Sequence, residues 1–380
     1  MIYFDAGATT LQKPPQVGQA VAMAINQVAS ASRGGYGAAE QAASILFDCR
    51  MALAALFSLE NPEQVVFTCN ATHGLNIALR TLITHGDRVV ISGYEHNAVT
   101  RPLSAIGAQI EVAGAPLFDP DGVIEAYETH LKSGCKVAVV NHVSNVFGFV
   151  QPVEDIAKLC QSYGAKLIID ASQSAGVLRL DMGTLGADFI AMPGHKGLYG
   201  PQGTGVLLCG NDVKVKSLLQ GGTGGNSILQ TMPEFLPDGL EAGTHNVCGI
   251  AGLLEGVSYV QEVGVAAICH HERTLAQRLA LGLRKLEGVE VYARPDLFAQ
   301  TGVVSFVVAQ IDCETVAQTL AQREIAVRSG LHCAPMAHKT AGTLETGTIR
   351  ASLSQFNTER EVVAFVDVVG EIVEKNKKFL

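Results

Sequence analysis

A chain of 380 residues with a formal net charge of −9 and 48% hydrophobic residues is too apolar to be disordered, and without clustered Lys or Arg it is poorly suited to binding nucleic acid. It exceeds one ordinary hydrophobic core, so two domains are expected. Nine cysteines, from Cys49 to Cys333, form no CxxC pair, which argues against a structural zinc site or disulfide framework and for a reducing compartment.

Met1 leads directly into the strand-like run IYFDAGATT, with no basic and apolar leader, and no apolar run reaches the roughly 18 residues of a membrane span. A cytoplasmic protein is expected. Behind Pro14 and Pro15, the spacing of Val17, Val21, Ala24, Ile25 and Val28 predicts a helix over Gln16–Ala31, and a second helix follows over Glu40–Leu56. VVFTCNATHGLNIALRTLI then reads as strand, small-residue turn and helix. Thr72 and the free N–H groups of that turn, which also holds His73, could receive an anion at the positive helix end, or Thr72 could be a plain N-cap.

The next unit, RVVISGYEHNAVTRPL, delivers Glu95, His96 and Asn97 to the carboxyl end of a strand, where open α/β sheets bind ligands. KVAVVNHVSN, AKLIIDASQS, ADFIAMPGHK and GTGVLLC are short runs rich in β-branched residues, as in strands covered on both faces, and a helix over Val153–Tyr163 separates the first two. The expectation is an α/β fold with a mostly parallel central sheet and helices on both faces, forming a large domain over residues 15–250. From about Gly249 the pattern changes to a long helical region through Arg284, then VEVYA, VVSFVVA, a helix over Cys313–Arg323, IAVRSGLHCA, TIRASLSQFN and a final helix. Residues 1–14 and 251–380 are expected to form a smaller α+β C-terminal domain carrying the cysteine loop.

The stretch ADFIAMPGHKGLYGPQGTGVLLC places Lys196 in a glycine-rich loop between two strands that look buried. Burial lowers the pKa of a lysine and leaves a neutral amine, which a carbonyl cofactor such as pyridoxal 5'-phosphate needs for a Schiff base. The competing interpretation is a surface hairpin with a solvated lysine. Asp170 ends the strand KLIID, either as a polar cap or as a carboxylate aimed into the ligand crevice.

The ordered motifs ATHGLN, EHNAV, HVSNVFG, IDASQS, GHKGLYGPQGTG, EAGTHN, RSGLHCA and TIRASLSQFN resemble the class V aminotransferase group of pyridoxal-phosphate enzymes, fold type I. Within it the chain is most similar to cysteine desulfurases and selenocysteine lyases. The resemblance implies that Lys196 forms the link to the cofactor and that Asp170 pairs with the ring nitrogen. It implies that His96 stacks on the ring and handles protons, that Asn145 and Gln173 contact the phenolic side, and that Thr72, with His73 beside it, and His195 hold the phosphate. Thr244 is implied to reach the phosphate of a partner subunit in a homodimer. Arg350, assisted by Arg328 and Asn145, would bind the α-carboxylate of the substrate. Cys333 occupies the position that becomes a persulfide, and no metal is implied.

RSGLHCA is similar to the SUF-type branch, with two departures: Leu331 replaces a common second histidine, and Pro193 replaces a Ser or Thr before the lysine motif. The activity implied is conversion of L-cysteine to L-alanine with sulfur passed from Cys333 to an acceptor, which can be a protein. Alternatives within the same resemblance are L-selenocysteine as substrate, and transamination or epimerisation with Cys333 incidental.

Overall fold

The computed structural model describes residues 1–380 except 32–33, 212, 226–227, 295, 297–298 and 378–380. In chain order the first part comprises β1 (Ile2–Tyr3), α1 (Pro15–Gln27), α2 (Gly37–Leu56), β2 (Val65–Thr68), α3 (Ala71–Leu82), β3 (Arg88–Ser92), α4 (Asn97–Ile106) and β4 (Gln109–Ala113). It continues with α5 (Pro120–Lys132), β5 (Val137–Asn141), α6 (Val153–Tyr163), β6 (Lys166–Asp170), α7 (Met182–Leu185), β7 (Phe189–Pro193) and β8 (Gly205–Cys209). The remainder comprises α8 (Val247–Val263), α9 (Val265–Leu283), β9 (Val289–Tyr292), β10 (Val303–Val308), α10 (Cys313–Ala321), β11 (Ile325–Ala326), β12 (Arg328–Gly330), α11 (Pro335–Ala341), β13 (Thr348–Ser352) and α12 (Glu359–Lys377).

Seven strands form the main sheet in the order β2-β8-β7-β6-β5-β3-β4. Only β8 runs against its neighbours, pairing antiparallel with β2 and β7. The apolar runs alternate between two cores. Val66, Ile91 and Ile168 pack with Leu75, Leu79, Val99 and Leu103 of α3 and α4. Val65, Val90 and Ile169 pack on the other face with Leu53, Tyr127, Ile156 and Leu253. Burial on both faces is why these strands read as continuous apolar runs, and truncating a fully buried residue such as Ile169 to Ala should cost about 2–5 kcal/mol. From β3 the chain steps outward to β4, whereas β5 returns on the opposite side of β3. This reversal opens a crevice at the carboxyl ends of β3 and β5, the place where such sheets take ligands.

A second sheet, β12-β13-β10-β9, is antiparallel throughout. Strand β1 pairs in parallel with β11, and Phe4 packs against Leu279, Phe306 and Phe365. The first residues of the chain therefore belong with the last hundred in space. Beyond Phe4, a bridge from Asp5 to Ser352 carries the segment toward the β7–β8 loop, where Thr10 N–H donates to the His195 carbonyl at 3.2 Å.

The structure differs from the sequence expectations locally, and helices α5 and α11 lie where no element was expected. The long helical region is two helices, because Gly264 takes φ +88°, which a continuing helix does not allow. Helix α1 stops at Gln27, where Val28 turns extended. Edge strand β4 was not anticipated because its side chains are mostly exposed, so it lacks the apolar run of the inner strands.

Candidate active site

Lys196 sits in the loop joining β7 to β8, whose base is closed by Gly194 N–H to the Thr204 carbonyl at 2.9 Å. The loop packs so closely on the turn after β6 that a Cβ at Gly197 would lie 2.4 Å from the Ala175 carbonyl oxygen, and one at Gly176 would lie 2.2 Å from the Gly197 oxygen. Only glycine fits both positions, and the close contact holds Lys196 over the sheet. The His195 carbonyl receives Thr10 N–H and Oγ1, Thr9 Oγ1 and Lys13 Nζ, so the N-terminal segment clamps the residue before the lysine. Burial lowers the Lys196 ammonium from 10.5 to about 8, with Arg350 and Arg328 pushing further down and Asp170 opposing them. Lys196 itself is half-buried.

Asp170 ends β6 in register with Asn141 of β5 and Ala191 of β7. It is buried, and Oδ1 accepts the Ser172 N–H at 2.9 Å. His96 caps α4, its Nδ1 accepting the Ala98 N–H at 3.0 Å, which leaves Nε2 to carry the proton of the neutral ring. Burial lowers its pKa, partly offset by Asp170 and reinforced by Lys196. Beneath them lies Glu95, fully buried, with Oε1 accepting Ser92 Oγ at 2.6 Å and Asn141 N at 2.8 Å. Burial pushes Glu95 up to about 8 against those hydrogen bonds, and Asp170 adds to the rise.

Lys196, Asp170, His96, Asn145, Gln173, Thr72 and His195 line one cavity of about 550 Å³, part of it open to solvent. At its far end stands the first turn of α3. The N-cap there is Asn70, whose Oδ1 accepts the His73 N–H at 2.9 Å. Thr72 is thus relieved of capping and lines the cavity, whereas the His73 ring turns to accept the Cys69 N–H at 3.3 Å and does not line it. His195 Nδ1 lies 3.0 Å from Thr9 Oγ1, and burial, with Lys196 and Lys13, lowers its pKa to about 4. It is a neutral imidazole at neutral pH. Pro193 lines the same wall.

Arg350 is buried at the centre of β13, opposite Arg328 on β12. It donates to the Asn145 carbonyl at 2.9 Å and to Asp5 Oδ1 at 2.9 Å, leaving Nε without a partner. Arg328, about half exposed, donates to Asp5 Oδ2 at 2.9 Å.

The Asn145 side chain donates to the His332 carbonyl at 2.8 Å, and Asn97 N–H donates to the Cys333 carbonyl at 2.8 Å. The cysteine loop is therefore tied to residues beside and within the cavity. His332 and Cys333 both adopt left-handed backbone, φ 50° and 56°, a conformation costing each about 1–3 kcal/mol. This presents Cys333 as exposed. His332 does not serve as its basic neighbour: the ring turns inward, Nε2 meets the Thr348 carbonyl and hydroxyl at 3.2 Å, and burial lowers its pKa to about 2. The charge beside the thiol is Arg328, held above its ordinary range chiefly by hydrogen bonds to Asp5, with Cys333 a lesser contributor.

Thr244 is exposed and lines a different cavity, with Gly222 and His245. Sequence reasoning missed Asp5 and Asn70 as site residues, and it delivered Glu95 to the ligand end of a strand without giving it a role. Asn70 was detectable as an Asn followed three residues later by the N–H it caps; Asp5 gave no local signal. Among the described residues no His, Cys, Asp and Glu cluster suits a metal, and no helix is long and apolar enough to cross a membrane.

Comparison with known proteins gives a consistent result. The family Aminotransferase class-V matches residues 2–365. A probable cysteine desulfurase of Methanothermobacter thermautotrophicus is 33% identical, over 98% of this chain and 94% of that protein. One of Pyrococcus abyssi is 34% identical with the same coverage of each. Among solved structures, the apo cysteine desulfurase of Thermococcus onnurineus superposes with a TM-score of 0.90 at 32% identity, covering 98% of this chain and 95% of that one. The cysteine desulfurase CsdA (S-sulfonic acid) of Escherichia coli gives 0.87 at 26% identity, covering 98% and 94%.

Proposed function

Since this chain belongs to the aminotransferase class-V family, we propose that it is a pyridoxal-phosphate-dependent cysteine desulfurase, with Lys196 as cofactor lysine and Cys333 as sulfur acceptor. The observation that carries the proposal is the joining of the two: Asn145 lines the Lys196 cavity and also holds the carbonyl of His332, the residue before Cys333.

The residues present fit the cofactor. Asn145 Oδ1 is buried without a partner, and Lys196 approaches the same cavity as a readily deprotonated amine opposite a carboxylate. Asp170 would face the ring nitrogen, His96 the ring, Gln173 and Asn145 the phenolic oxygen, and Thr72, His195 and the first turn of α3 the phosphate. Pyridoxal phosphate would supply a carbonyl for the substrate amine and a ring that accepts electrons from the α-carbon.

The protein's own groups perform the rest. Arg350 binds the substrate carboxylate, the Lys196 amine takes the α-proton, and His96 Nε2 manages the proton of the substrate thiol. Cys333 Sγ, as thiolate, attacks the substrate sulfur. The persulfide S–S bond forms as the Cβ–Sγ bond breaks; Cβ keeps that electron pair and takes a proton, the Lys196 ammonium returns a proton to the α-carbon, and alanine departs. Thr244, exposed and away from this cavity, suits a contribution to a second subunit, which supports a homodimer. The nine cysteines are all free, which supports a reducing compartment such as the cytoplasm.

The test is to give the cofactor-loaded enzyme L-cysteine and to measure alanine by chromatography and the Cys333 persulfide by mass spectrometry. Equimolar alanine and persulfide in the first turnover are expected. A keto acid, or sulfide released by Cys333→Ala at the wild-type rate under reducing conditions, would exclude this role for Cys333.

A further inference from the structure

Arg350 is nearly inaccessible, yet among the described residues the one carboxylate paired with it belongs to residue 5, at the opposite end of the chain. The pairing is shaped by the fold. Asp5 follows β1, is bridged to Ser352 of β13, and is followed by Gly7, whose N–H donates to Ser352 Oγ at 2.8 Å. A Cβ at Gly7 would come within 3.0 Å of that Oγ and 3.3 Å of the Arg350 guanidinium carbon, so the chain passes against the arginine as closely as a side-chain-free residue permits. Asp5 is shared by the two arginines: Oδ1 accepts Arg350 at 2.9 Å and, at 3.4 Å, Arg328 Nε, while Oδ2 accepts Arg328 at 2.9 Å. The Asn145 carbonyl fixes the other terminal nitrogen of Arg350, so both ends of its fork are held and Nε is left unpaired.

We infer that Asp5 is a positioning residue for substrate binding, whose shared carboxylate orients the buried Arg350 guanidinium and sets the pair of arginines and Asp5 to a single net positive charge suited to one amino-acid carboxylate. This rests on the assignment of Arg350 to the substrate carboxylate. Without Asp5, two adjacent guanidiniums face each other uncompensated, one of them buried, and Arg350 keeps only the Asn145 carbonyl as anchor. The loss falls on ground-state binding of the carboxylate, before and after the chemistry alike, so it should appear in KM while kcat is largely retained.

The experiment compares wild type, Asp5→Asn, Asp5→Glu, Arg350→Ala and the double variant Asp5→Asn/Arg350→Ala as cofactor-loaded enzymes. Steady-state kinetics with L-cysteine would be combined with calorimetric titration of L-alanine, which carries the same carboxylate and undergoes no sulfur chemistry. For Asp5→Asn, KM and the L-alanine dissociation constant should both rise at least about tenfold with kcat within about threefold of wild type. Asp5→Glu should fall between the two, and Asp5→Asn should add nothing once Arg350 is Ala. An unchanged or lower KM in Asp5→Asn, with Arg350→Ala impaired, would overturn the role of Asp5, as would an undiminished Asp5 effect in the Arg350→Ala background. If Arg350→Ala itself leaves KM and L-alanine binding unchanged, the assignment of Arg350 fails and the inference fails with it. Should Asp5→Asn not fold, Asp5→Glu supplies the same split: a raised KM at retained kcat supports the role, and an unchanged KM overturns it.

Discussion

Asn145 donates its side-chain amide to the carbonyl of His332 at 2.8 Å, while its own backbone carbonyl accepts Arg350 at 2.9 Å. One residue after β5 thus connects the cysteine loop with the buried arginine. Asn145→Ala would leave the His332 carbonyl short of a donor, a loss of about 1–3 kcal/mol at a buried site. Because that loop already holds two residues in left-handed backbone, the cost should appear locally. Faster hydrogen exchange over residues 331–334 and at least about a tenfold slower first-turnover persulfide at Cys333 are expected; unchanged exchange there would contradict the tether.

Lys196 should respond to pH in a definite direction. Its ammonium is lowered from 10.5 to about 8, chiefly by burial, so the protein without cofactor gains free amine as pH rises through about 8. Uptake of pyridoxal phosphate, followed by visible absorbance, should accelerate from pH 6.5 and level off above about pH 8, and Lys196→Arg should stay colourless. The folded state disfavours the charged form here. This group's contribution to stability is therefore complete above 10.5 and lost as pH falls to about 8.

Glu95 has the opposite sign. Its carboxyl is pushed up from 4.5 to about 8 by burial, so its contribution is present below about 4.5 and lost as pH rises through about 8. Glu95→Gln retains an acceptor for Ser92 and Asn141 and removes the titration. The Tm of Glu95→Gln minus that of wild type should grow by at least about 2 °C between pH 5 and pH 8.5 in differential scanning calorimetry; a constant difference would show Glu95 ionised throughout.

Buried histidines give the protein an acid limit. His142, His195 and His338 are lowered to about 4 and His332 to about 2, burial being the first cause in each. Each binds a proton more readily unfolded, near 6.5, so their contribution is complete above that value and declines as pH falls toward 4. The urea midpoint should fall steadily from pH 7 to pH 5. Equal midpoints at the two values would mean that these rings are already solvated or charged in the folded protein.

Much of the site could be read from local order alone. Strand ends at Asp170 and before His96, and a glycine loop around Lys196, are set by apolar runs and turns a few residues long, and the strand-to-loop pattern places their ends on one sheet edge. The inner strands were legible for the same reason, since burial on both faces requires unbroken apolar runs. Edge strand β4 was not, and neither was the break at Gly264, where a single positive φ divides a stretch whose helical pattern continues on both sides.

The amino-acid sequence by itself determined the α/β class and the mostly parallel sheet, and it marked Lys196, Asp170 and Cys333 as candidate residues in recognisable settings. Only the tertiary structure decided what surrounds them. His332, adjacent to Cys333 in the chain, turns into the core because left-handed backbone at both residues sends their side chains apart. Asp5 reaches Arg350 across 345 positions because β1 joins β11 and the chain then passes beside β13. Side-chain direction at a strained turn and contact between distant segments depend on packing of the whole chain, which no local periodicity encodes.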